Sequence, residues 1–525
     1  MAKAKYLGLR GSSLRAAMLM LVVAPSFFLF GYCNGSTGSI ATLHSFVHQF
    51  PQIDTVTTTG AEKTHNSRIK GVVVGCYDLG AVIGCLLCIA YSDRIGRLKT
   101  ILVGLILSLV ALAIQASSYS LGQFIVGRLL IGGAIGTISS SVPIWQSECS
   151  SSSHRGAFVV MEGLFISAGI AMSEWISFGF SFVGSGAVQW RVPLAFPAIF
   201  SIFVIPLVLM MPESPRWLAR AGRLDEARSV LAALADEDEH SQSVNDDMMG
   251  IEHSLSIVRG KASEIFTNGE ERISHRTSLA CWGLMAQQMC GISAMVFYTS
   301  TIFEDLNFKG TDARVLSASL TTFQTLCALV PLFLVDRLGR RPMFIVSGLG
   351  LSVCMAVLAG TGDLKGSGSD AAVVFVFLYQ FFYPFGFLGQ TFLYATEVAP
   401  LRLRVPIMAV ANGVQWMSQF VVAQITPPGT INLGSHYYII YAVFNFFFVI
   451  VFYLFFPETN GLSLEDVDEV FKASSNIFDT VGVARQMIAR GRNVPEGEHN
   501  EKGLGGNGGS DAEGQGSVLA LENAS

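Results

Sequence analysis

Charged residues are scarce in this chain of 525 residues, since Asp, Glu, Lys and Arg together make up only 14%. Soluble domains carry roughly 25% charged residues, so the composition argues against a water-soluble globular protein. Neither sign of charge dominates, because the formal net charge is −5. A basic surface for nucleic acid is therefore not expected, and we predict no nucleic-acid partner.

Motifs of metal binding, disulfide frameworks and hydrolytic catalysis are also missing. The nine cysteines lack the clustered spacing of a zinc site or a disulfide framework, and most lie in apolar runs, where thiols pack as small apolar groups. There is no His-Glu-x-x-His motif and no Ser, His and Asp arrangement of a nucleophilic site. The sequence predicts a protein that is not an enzyme and has no metal and no cofactor.

Long apolar runs dominate instead, with 51% hydrophobic residues and a mean hydropathy of +0.49. A membrane-spanning helix needs about 20 mainly apolar residues, and twelve stretches meet that requirement. They are residues 16–38, 70–91, 100–117, 121–143, 157–180, 190–211, 277–302, 314–335, 342–362, 371–396, 405–428 and 436–456. The first follows basic residues but no cleavage site, so we interpret it as a span and not as a signal peptide. The predicted fold is an all-α membrane protein embedded in a lipid bilayer.

The spans divide into two groups of six. Residues 1–15 form an N-terminal segment, 16–211 a first bundle, 212–276 a polar linker with short amphipathic helices, 277–456 a second bundle and 457–525 a tail. After about residue 493 the tail is rich in Gly, Glu and Asn, a composition typical of disorder.

Lysine and arginine are unequally distributed between the two sets of loops. With the N-terminus inside, the cytoplasmic side collects Lys3, Lys5, Arg10, Arg15, Arg94, Arg97, Lys99, Arg155, the linker cations, Arg337, Arg340, Arg341, Arg402 and Arg404. Cytoplasmic loops carry such an excess. Both termini are therefore predicted to be cytoplasmic, the loop of residues 39–68 external, and the location the plasma membrane.

The two bundles repeat each other. DRIGR begins at Asp93 and DRLGR at Asp336, 243 residues later. The sequences PESPRWL and PETNGLSL begin 245 residues apart, at Pro212 and Pro457. The spacing of seven between Glu148 and Arg155 recurs between Glu397 and Arg404, 249 residues on. Signatures at nearly one offset indicate duplicated six-helix units, the architecture of transporters that rock two halves around a central site.

Five motifs together resemble the sugar porter branch of the major facilitator superfamily. They are DRIGR, PESPRWL, the run QQMCGISAMVFY from Gln287, DRLGRR, and PETNGLSLEDVDEVF from Pro457, and the resemblance covers residues 31–471. The long first loop and the run of residues 161–179 look more like fungal permeases than animal ones. The resemblance implies transport of a sugar or sugar-like small molecule by alternating access, by a chain that we expect to be monomeric.

The resemblance also implies a cytoplasmic gating network of ion pairs that closes the inner ends of the helices. Its predicted members are Asp93, Arg97, Glu148, Arg155, Asp336, Arg340, Glu397 and Arg404. All of them lie where spans leave the membrane, so contacts between guanidinium and carboxylate groups are available at the seam between helices. Several pairs of about 1 kcal/mol each would bias a two-state equilibrium.

Amides and aromatic rings are expected to bind the substrate, because neutral polyols offer many hydrogen-bonding groups but no charge. By resemblance, the predicted substrate-binding residues are Gln287, Gln288, Ser293, Tyr298, Gln324, Phe392, Gln415, Trp416 and Gln419, with Phe297 beside Tyr298. Ser293 and Gln324 stand where the family has asparagine, Phe392 where it has tryptophan, and Gly163 where it has glutamine. With these departures the resemblance does not imply ordinary glucose selectivity, and a disaccharide, pentose, polyol or sugar acid stays open.

Coupling to protons is the least settled expectation. Proton-coupled members resemble GYDxG in the first span, with the aspartate paired to an arginine, whereas this chain has Cys33 and keeps the arginine as Arg128. A thiol is a poor proton carrier at neutral pH, which favours facilitated diffusion. The alternative is a proton symporter that uses Glu162, an acid inside the fifth span. A sugar sensor without transport would share every span, but the short tail favours transport.

Overall fold

The computed structural model of the protein describes residues 6–150, 155–184, 186–256, 262–267, 269, 271–306, 308, 310–361, 367–400, 402–462 and 464–492. The first part contains α1 (Gly11–Met18), a π-helical turn (Leu19–Val23), α2 (Ala24–Ile40), α3 (His44–Gln49), a 3-10 turn (Pro51–Ile53), α4 (Gly60–Ile95), α5 (Arg97–Ala116), α6 (Leu121–Cys149), α7 (Arg155–Ser181), α8 (Val188–Ala195) and α9 (Ala198–Val208). The linker contains α10 (Pro215–Arg220), α11 (Leu224–Ala235), α12 (Gln242–Ser256) and a 3-10 turn (Ala262–Phe266).

The second half repeats this pattern of long helices. It contains α13 (Ile273–Met289), α14 (Ile292–Phe297), α15 (Thr299–Asp305), α16 (Thr311–Cys327), α17 (Val330–Leu338), α18 (Arg340–Thr361), α19 (Ser367–Gly386), α20 (Gln390–Val398), α21 (Arg404–Leu433), a 3-10 turn (Gly434–His436) and α22 (Tyr437–Phe455). The tail adds α23 (Leu464–Ala473) and α24 (Thr480–Arg492). The predicted disorder after residue 493 lies outside the described residues.

Eleven stretches of the described chain are long and apolar enough to cross a membrane. The last of them, Pro406–Phe455, has 50 residues, which at 1.5 Å per residue is about 75 Å and more than twice the ~30 Å hydrocarbon core. It also turns at Gly434, where φ is 57°. It therefore contains two spans, α21 and α22, and the described helices make the twelve crossings that the sequence predicts.

Each half has its own apolar core, and the two cores meet between the halves. One core is built mainly from α13 to α22 and the other from α1 to α11. Trp416 of α21 belongs to the core of the first half, while Val74 of α4 and Ile170 of α7 belong to the core of the second. The principal contacts between halves are α4 against α21 and α7 against α16.

The two halves approach most closely at one end of the bundle. The turns at Gly96 and Gly339 follow even-numbered spans and so share an end, which we call the motif end; the opposite end is the far end. At the far end a Cβ added to Gly38 would lie 2.5 Å from the carbonyl oxygen of Phe297, and one added to Gly71 would lie 2.6 Å from that of Gln424. Only glycine permits this close backbone contact between the two halves.

The polar segment between the halves divides into two pieces. Arg10 ties α11 to the start of the chain, because its guanidinium pairs with Asp236 at 2.9 Å and donates to the carbonyl oxygen of Ala232 at 2.8 Å. The 3-10 turn Ala262–Phe266 instead packs on α13, and Arg402 binds Glu264 at 2.9 Å. The first piece therefore belongs to the first half and the second piece to the second half.

Candidate functional site

The predicted amides of the seventh span lie at a break in that span. Helix α13 ends at Met289, one residue after Gln288, and Gly291 turns the chain with φ 103°. The carboxamide oxygen of Gln288 accepts from the hydroxyl of Ser293 at 2.8 Å, across the break. Gln287 donates its Nε2 to the carbonyl oxygen of Leu388 at 2.8 Å, between α19 and α20. Broken helices at mid-membrane are typical of transporter binding sites.

Other side chains satisfy the backbone that the break exposes. The carbonyl oxygen of Cys290 accepts from the hydroxyl of Tyr379 at 3.2 Å and from Nδ2 of Asn445 at 3.1 Å. Free backbone groups are costly in lipid, so these two side chains hold the break in place. The sequence analysis missed both, although each is a polar residue inside an apolar run.

Several buried amide oxygens of the second half have no hydrogen-bond partner among the described residues. Gln287 Oε1 and Gln324 Oε1 are two of them, and both amide atoms of Gln380 in α19 are unpartnered as well. A buried polar atom without a partner costs about 1 to 3 kcal/mol. Such atoms indicate a place for bound hydroxyl groups or water, and Gln380 is an addition to the predicted set.

Helix α21 carries the predicted polar-Trp-polar pattern to the interface between halves. Gln419 donates its Nε2 to Oδ1 of Asn34 in α2 at 3.0 Å. The indole of Trp416 packs on Phe30 and Tyr77, with ring centroids 5.4 and 6.0 Å apart. Gln415 is also buried. The helix therefore presents side chains to both halves, as a site opened and closed by rocking requires.

The predicted aromatic residues take different positions. Tyr298 is buried at the junction of α14 and α15 and donates its hydroxyl to the carbonyl oxygen of Ala423 in α21 at 2.8 Å. Phe297 is buried beside it, with ring centroids 6.5 Å apart. Phe392, at the family's tryptophan position, is half-buried and packs on the core of the second half. Tyr298 therefore lies against α21, the helix that carries Trp416.

A buried charge centre lies between α4 and α6. The side chain of Arg128 is 1% exposed, donates Nη2 to the carbonyl oxygen of Val74 at 3.1 Å and lies 4.7 Å from the centre of the Tyr77 ring. Cys33 of α2 is buried close enough to interact electrostatically with it. The sequence analysis missed Asp78, which is 0% exposed and is attracted by Arg128.

Glu162 lies closer to the motif end than this centre does. It follows the start of α7 by seven residues, which at 1.5 Å per residue is about 10 Å. Its side chain is half-buried, and the next residue, Gly163, lies against Leu388, to which an added Cβ would be 3.1 Å away. Glu162 is therefore close to the break in the tenth span and distant from Arg128.

A turn between the second and third spans binds three carboxylates. Arg97 pairs with Asp93 at 2.9 Å and bridges both oxygens of Glu148 at 3.2 Å. Glu213 accepts from the backbone N–H groups of Arg97 and Leu98, which begin α5, at 3.2 to 3.3 Å. A carboxylate at a helix N-terminus is stabilised by the free N–H groups and the helix dipole. Burial raises the pKa of Glu213, and these N–H groups oppose the rise.

The second half repeats this turn. Arg340 pairs with Asp336 at 3.2 Å and with Glu397 at 2.8 Å. Glu458 accepts from the backbone N–H of Arg340 at 2.9 Å and from that of Arg341 at 3.0 Å. Gly96 and Gly339 have matching backbones, with φ 101° and ψ 162° in the first and φ 86° and ψ 166° in the second. We call the two assemblies the turn clamps.

These ion pairs each join residues of the same half. Glu148 and Glu397 bind the turn arginines Arg97 and Arg340. Arg404 begins α21 at the motif end, and Arg155 begins α7, although its side chain lies outside the described part of the chain. The structure thus brings six of the eight predicted gating residues together in two groups, one in each half.

Comparisons with known proteins agree with this architecture. The family model "Sugar (and other) transporter" matches residues 18–471. The Saccharomyces cerevisiae protein "Sugar transporter STL1" is 29% identical over 478 residues, which cover 89% of this chain and 83% of that protein. The Aspergillus oryzae "MFS-type transporter oryC" is 31% identical over 490 residues, which cover 91% and 89%.

Solved structures show the same fold. The proton:xylose symporter XylE bound to 6-bromo-6-deoxy-D-glucose superposes with a TM-score of 0.74 at 20% identity and covers 88% of this chain and all of that one. The inward-open xylose transporter XylE from E. coli has a TM-score of 0.69 at 20% identity and covers 86% and 98%. The fold is therefore that of the major facilitator superfamily, an integral membrane transporter. Within that class, the chain belongs to the sugar (and other) transporter family.

Proposed function

We propose that this protein moves a sugar or polyol across the plasma membrane by alternating access, binding it at the amides of α13, α16 and α21. The observation that carries the proposal is the pair of unpartnered acceptors, Gln287 Oε1 and Gln324 Oε1, in the membrane-embedded second half. A hydroxyl-rich neutral solute supplies the donors that these oxygens lack.

The interface between halves supplies the rest of the proposed site. Gln419 and Trp416 reach from α21 to the first half, to Asn34 and Tyr77 respectively. A solute bound there contacts both halves, so its binding energy can differ between the two access states. Only such a difference lets a ligand shift a conformational equilibrium.

The orientation proposed from the charges makes the motif end cytoplasmic, along with both termini. Its exposed cations include Arg94 and Arg337, in line with the positive-inside rule. The far end is then external, and the contacts at Gly38 and Gly71 close the external side. The turn clamps act at the cytoplasmic ends of the third and ninth spans.

Sugar counterflow into proteoliposomes tests the proposal. Purified protein would be reconstituted and assayed with radiolabelled D-glucose, D-fructose, D-xylose and sorbitol. For the solute that exchanges fastest, loss of one hydrogen bond of about 1 to 2 kcal/mol predicts roughly 5- to 30-fold weaker binding in Gln287→Ala and in Gln324→Ala. Gln115→Ala, a buried amide of α5, is the control and should match wild type. Exchange of none of the four solutes, or unchanged affinity in both variants, contradicts the proposal.

A further inference from the structure

Arg128 lies in the membrane-embedded part of α6 and needs a negative partner. A cation at membrane depth is costly unless it is paired. Its described contacts, the carbonyl oxygen of Val74 and the ring of Tyr77, are neutral, and so is the thiol that stands at residue 33. Cys33 stands where proton-coupled members of the family have an aspartate, while Arg128, the cation that pairs with that aspartate, is retained.

Asp78 provides a carboxylate from a different helix. Asp78 lies on α4 one turn after Val74, so the side chains of Val74 and Asp78 share one face of that helix. The carbonyl oxygen of Val74 binds Arg128, which brings the guanidinium to this part of α4. Asp78 and Arg128 are near enough to attract each other, although the carboxylate forms no hydrogen bond with the guanidinium. Asp78 is 0% exposed, and neither of its carboxylate oxygens has a hydrogen-bond partner among the described residues.

The cysteine and tyrosine side chains around Asp78 are neutral at physiological pH, and one further cation lies nearby, because Lys70 of the same helix is 6.0 Å from the centre of the Tyr298 ring. Cys76 and Tyr77 lie on its own helix, Cys33 reaches the centre from α2, and Tyr298 faces it from the second half. Helix α21 packs on α4 with Trp416, which does not titrate. Ionised Asp78 therefore offsets the charge of Arg128, and protonation of Asp78 adds one positive charge to the centre.

We propose that Asp78 is the proton-binding carboxylate of this transporter and the counter-ion of Arg128, in the role for which the first span has no acid. One proton from the external solution binds the Asp78 carboxylate, crosses with the solute, and is released to the cytoplasm. The inference rests on the proposed transport function and replaces facilitated diffusion with proton symport. Glu162 is not needed as the titrating group, because it lies far from Arg128.

The charge centre is connected to the proposed solute site. The ring of Tyr77 contacts the guanidinium of Arg128 on one side and the indole of Trp416 on the other. Tyr298, which binds the carbonyl oxygen of Ala423 in α21, is close enough to interact with both Asp78 and Arg128. A change of charge at Asp78 therefore acts on Tyr77 of the first half and on Tyr298 of the second, at the interface between the two halves.

Gradient-driven uptake compared with counterflow tests the inference. Proteoliposomes with wild-type protein would receive a 2-unit inward pH gradient and whichever of the four radiolabelled solutes exchanges fastest. One proton per solute allows up to about 100-fold accumulation, since each pH unit is tenfold. We expect Asp78→Asn to lose this accumulation and to keep counterflow within about threefold of wild type. Glu162→Gln should still accumulate solute, as should the control Glu62→Gln, an exposed acid on the same helix.

Each contrary result has a definite meaning. Counterflow in wild type without gradient-driven accumulation overturns the inference and leaves the transport function standing. Accumulation that survives in Asp78→Asn, or that is lost in Glu162→Gln, also overturns it. Exchange of none of the four solutes refutes the transport function instead.

Infrared spectroscopy tests the same group without any solute and also covers a failure of Asp78→Asn to fold. As the pH is lowered from 8, the purified wild-type protein should gain protonated-carboxyl absorbance, to which Glu213 and other buried acids also contribute. One component of it should be retained in Glu62→Gln and Glu162→Gln, be missing in Asp78→Asn, and have a shifted midpoint in Asp78→Glu. If no component is lost in Asp78→Asn or moved in Asp78→Glu, the inference is overturned.

Discussion

Replacement of Gly96 by alanine is a sharp test of the turn clamps. Gly96 has φ 101° and ψ 162°, a backbone conformation that residues with a Cβ rarely adopt. An added Cβ would lie 2.7 Å from Oε2 of Glu213 and 3.3 Å from the ring of Trp217. The methyl group therefore strains the turn and displaces the carboxylate that caps α5.

The two effects have known sizes. A residue with a side chain in a sparsely populated region costs about 1 to 3 kcal/mol. Loss of a helix N-terminal cap costs about 0.5 to 2 kcal/mol. Gly96→Ala should therefore lower the free energy of unfolding by about 1.5 to 5 kcal/mol. The equivalent Gly339→Ala should have a similar effect, since its Cβ would also lie 2.7 Å from a glutamate oxygen, Oε2 of Glu458.

Thermal unfolding of the purified protein in detergent measures the effect, at about 2 to 4 °C of Tm for each kcal/mol. Gly222→Ala is the matched control, because Gly222 has φ 78° but no atom within 4 Å of an added Cβ. It carries the backbone cost alone. If Gly96→Ala and Gly222→Ala lower Tm equally, the carboxylate cap contributes nothing and the clamp is only a turn.

Three further predictions concern other parts of the molecule. The side chain added in Gly71→Leu would overlap the backbone of Gln424 and prevent the far end from closing. Overpacking of this kind costs about 1 to 3 kcal/mol, so we expect uptake to fall at least about tenfold without loss of folded protein on gel filtration. Normal uptake would contradict the far-end contact. Burial raises the pKa of Glu213 above 4.5, so the contribution of its protonation to stability is complete below pH 4.5 and is lost as pH rises through the raised pKa. The difference in Tm between wild type and Glu213→Gln should therefore fall as pH rises through this interval. A rise in that difference would refute the predicted sign. Arg276 is 1% exposed and pairs at 2.6 Å with Asp468, which is 41% exposed. Asp468→Asn removes the charged partner of a buried cation and should cost about 1 to 3 kcal/mol, more than Arg276→Met, as measured by Tm. The reverse order would argue against the pair.

Much of the fold could be predicted from the sequence. Apolar runs of about 20 residues have one stable arrangement in lipid, so the twelve crossings follow from composition and length. The breaks within the spans could not be predicted in the same way, because hydropathy carries no information on backbone dihedral angles. Gly291 breaks the seventh span at a positive φ, whereas Gly104 and Gly127, also within apolar runs, lie inside unbroken helices.

The candidate site was predicted only where the family motif led. Gln287, Gln288 and Ser293 lie together at the break, as expected of one motif. The role of Asp78 could not be predicted from the first-span motif, because the motif places its acid at residue 33 and not on the second span. An aspartate in the middle of an apolar run is nevertheless itself a signal of function. Distances between helices, such as that between Asp78 and Arg128, depend on helix rotation, which a single sequence does not fix.

The two-piece division of the polar segment suggests where the protein can be cut. Residues up to 256 are held to the first half through α11 and α12, while residues from 262 onwards are held to the second half by Arg402 and α13. The turn clamps likewise close without crossing between halves. The two halves are therefore held together by the packing of α4 on α21 and of α7 on α16, in addition to the chain that joins them. Separate genes for the two fragments, co-expressed, should reassemble into a working carrier.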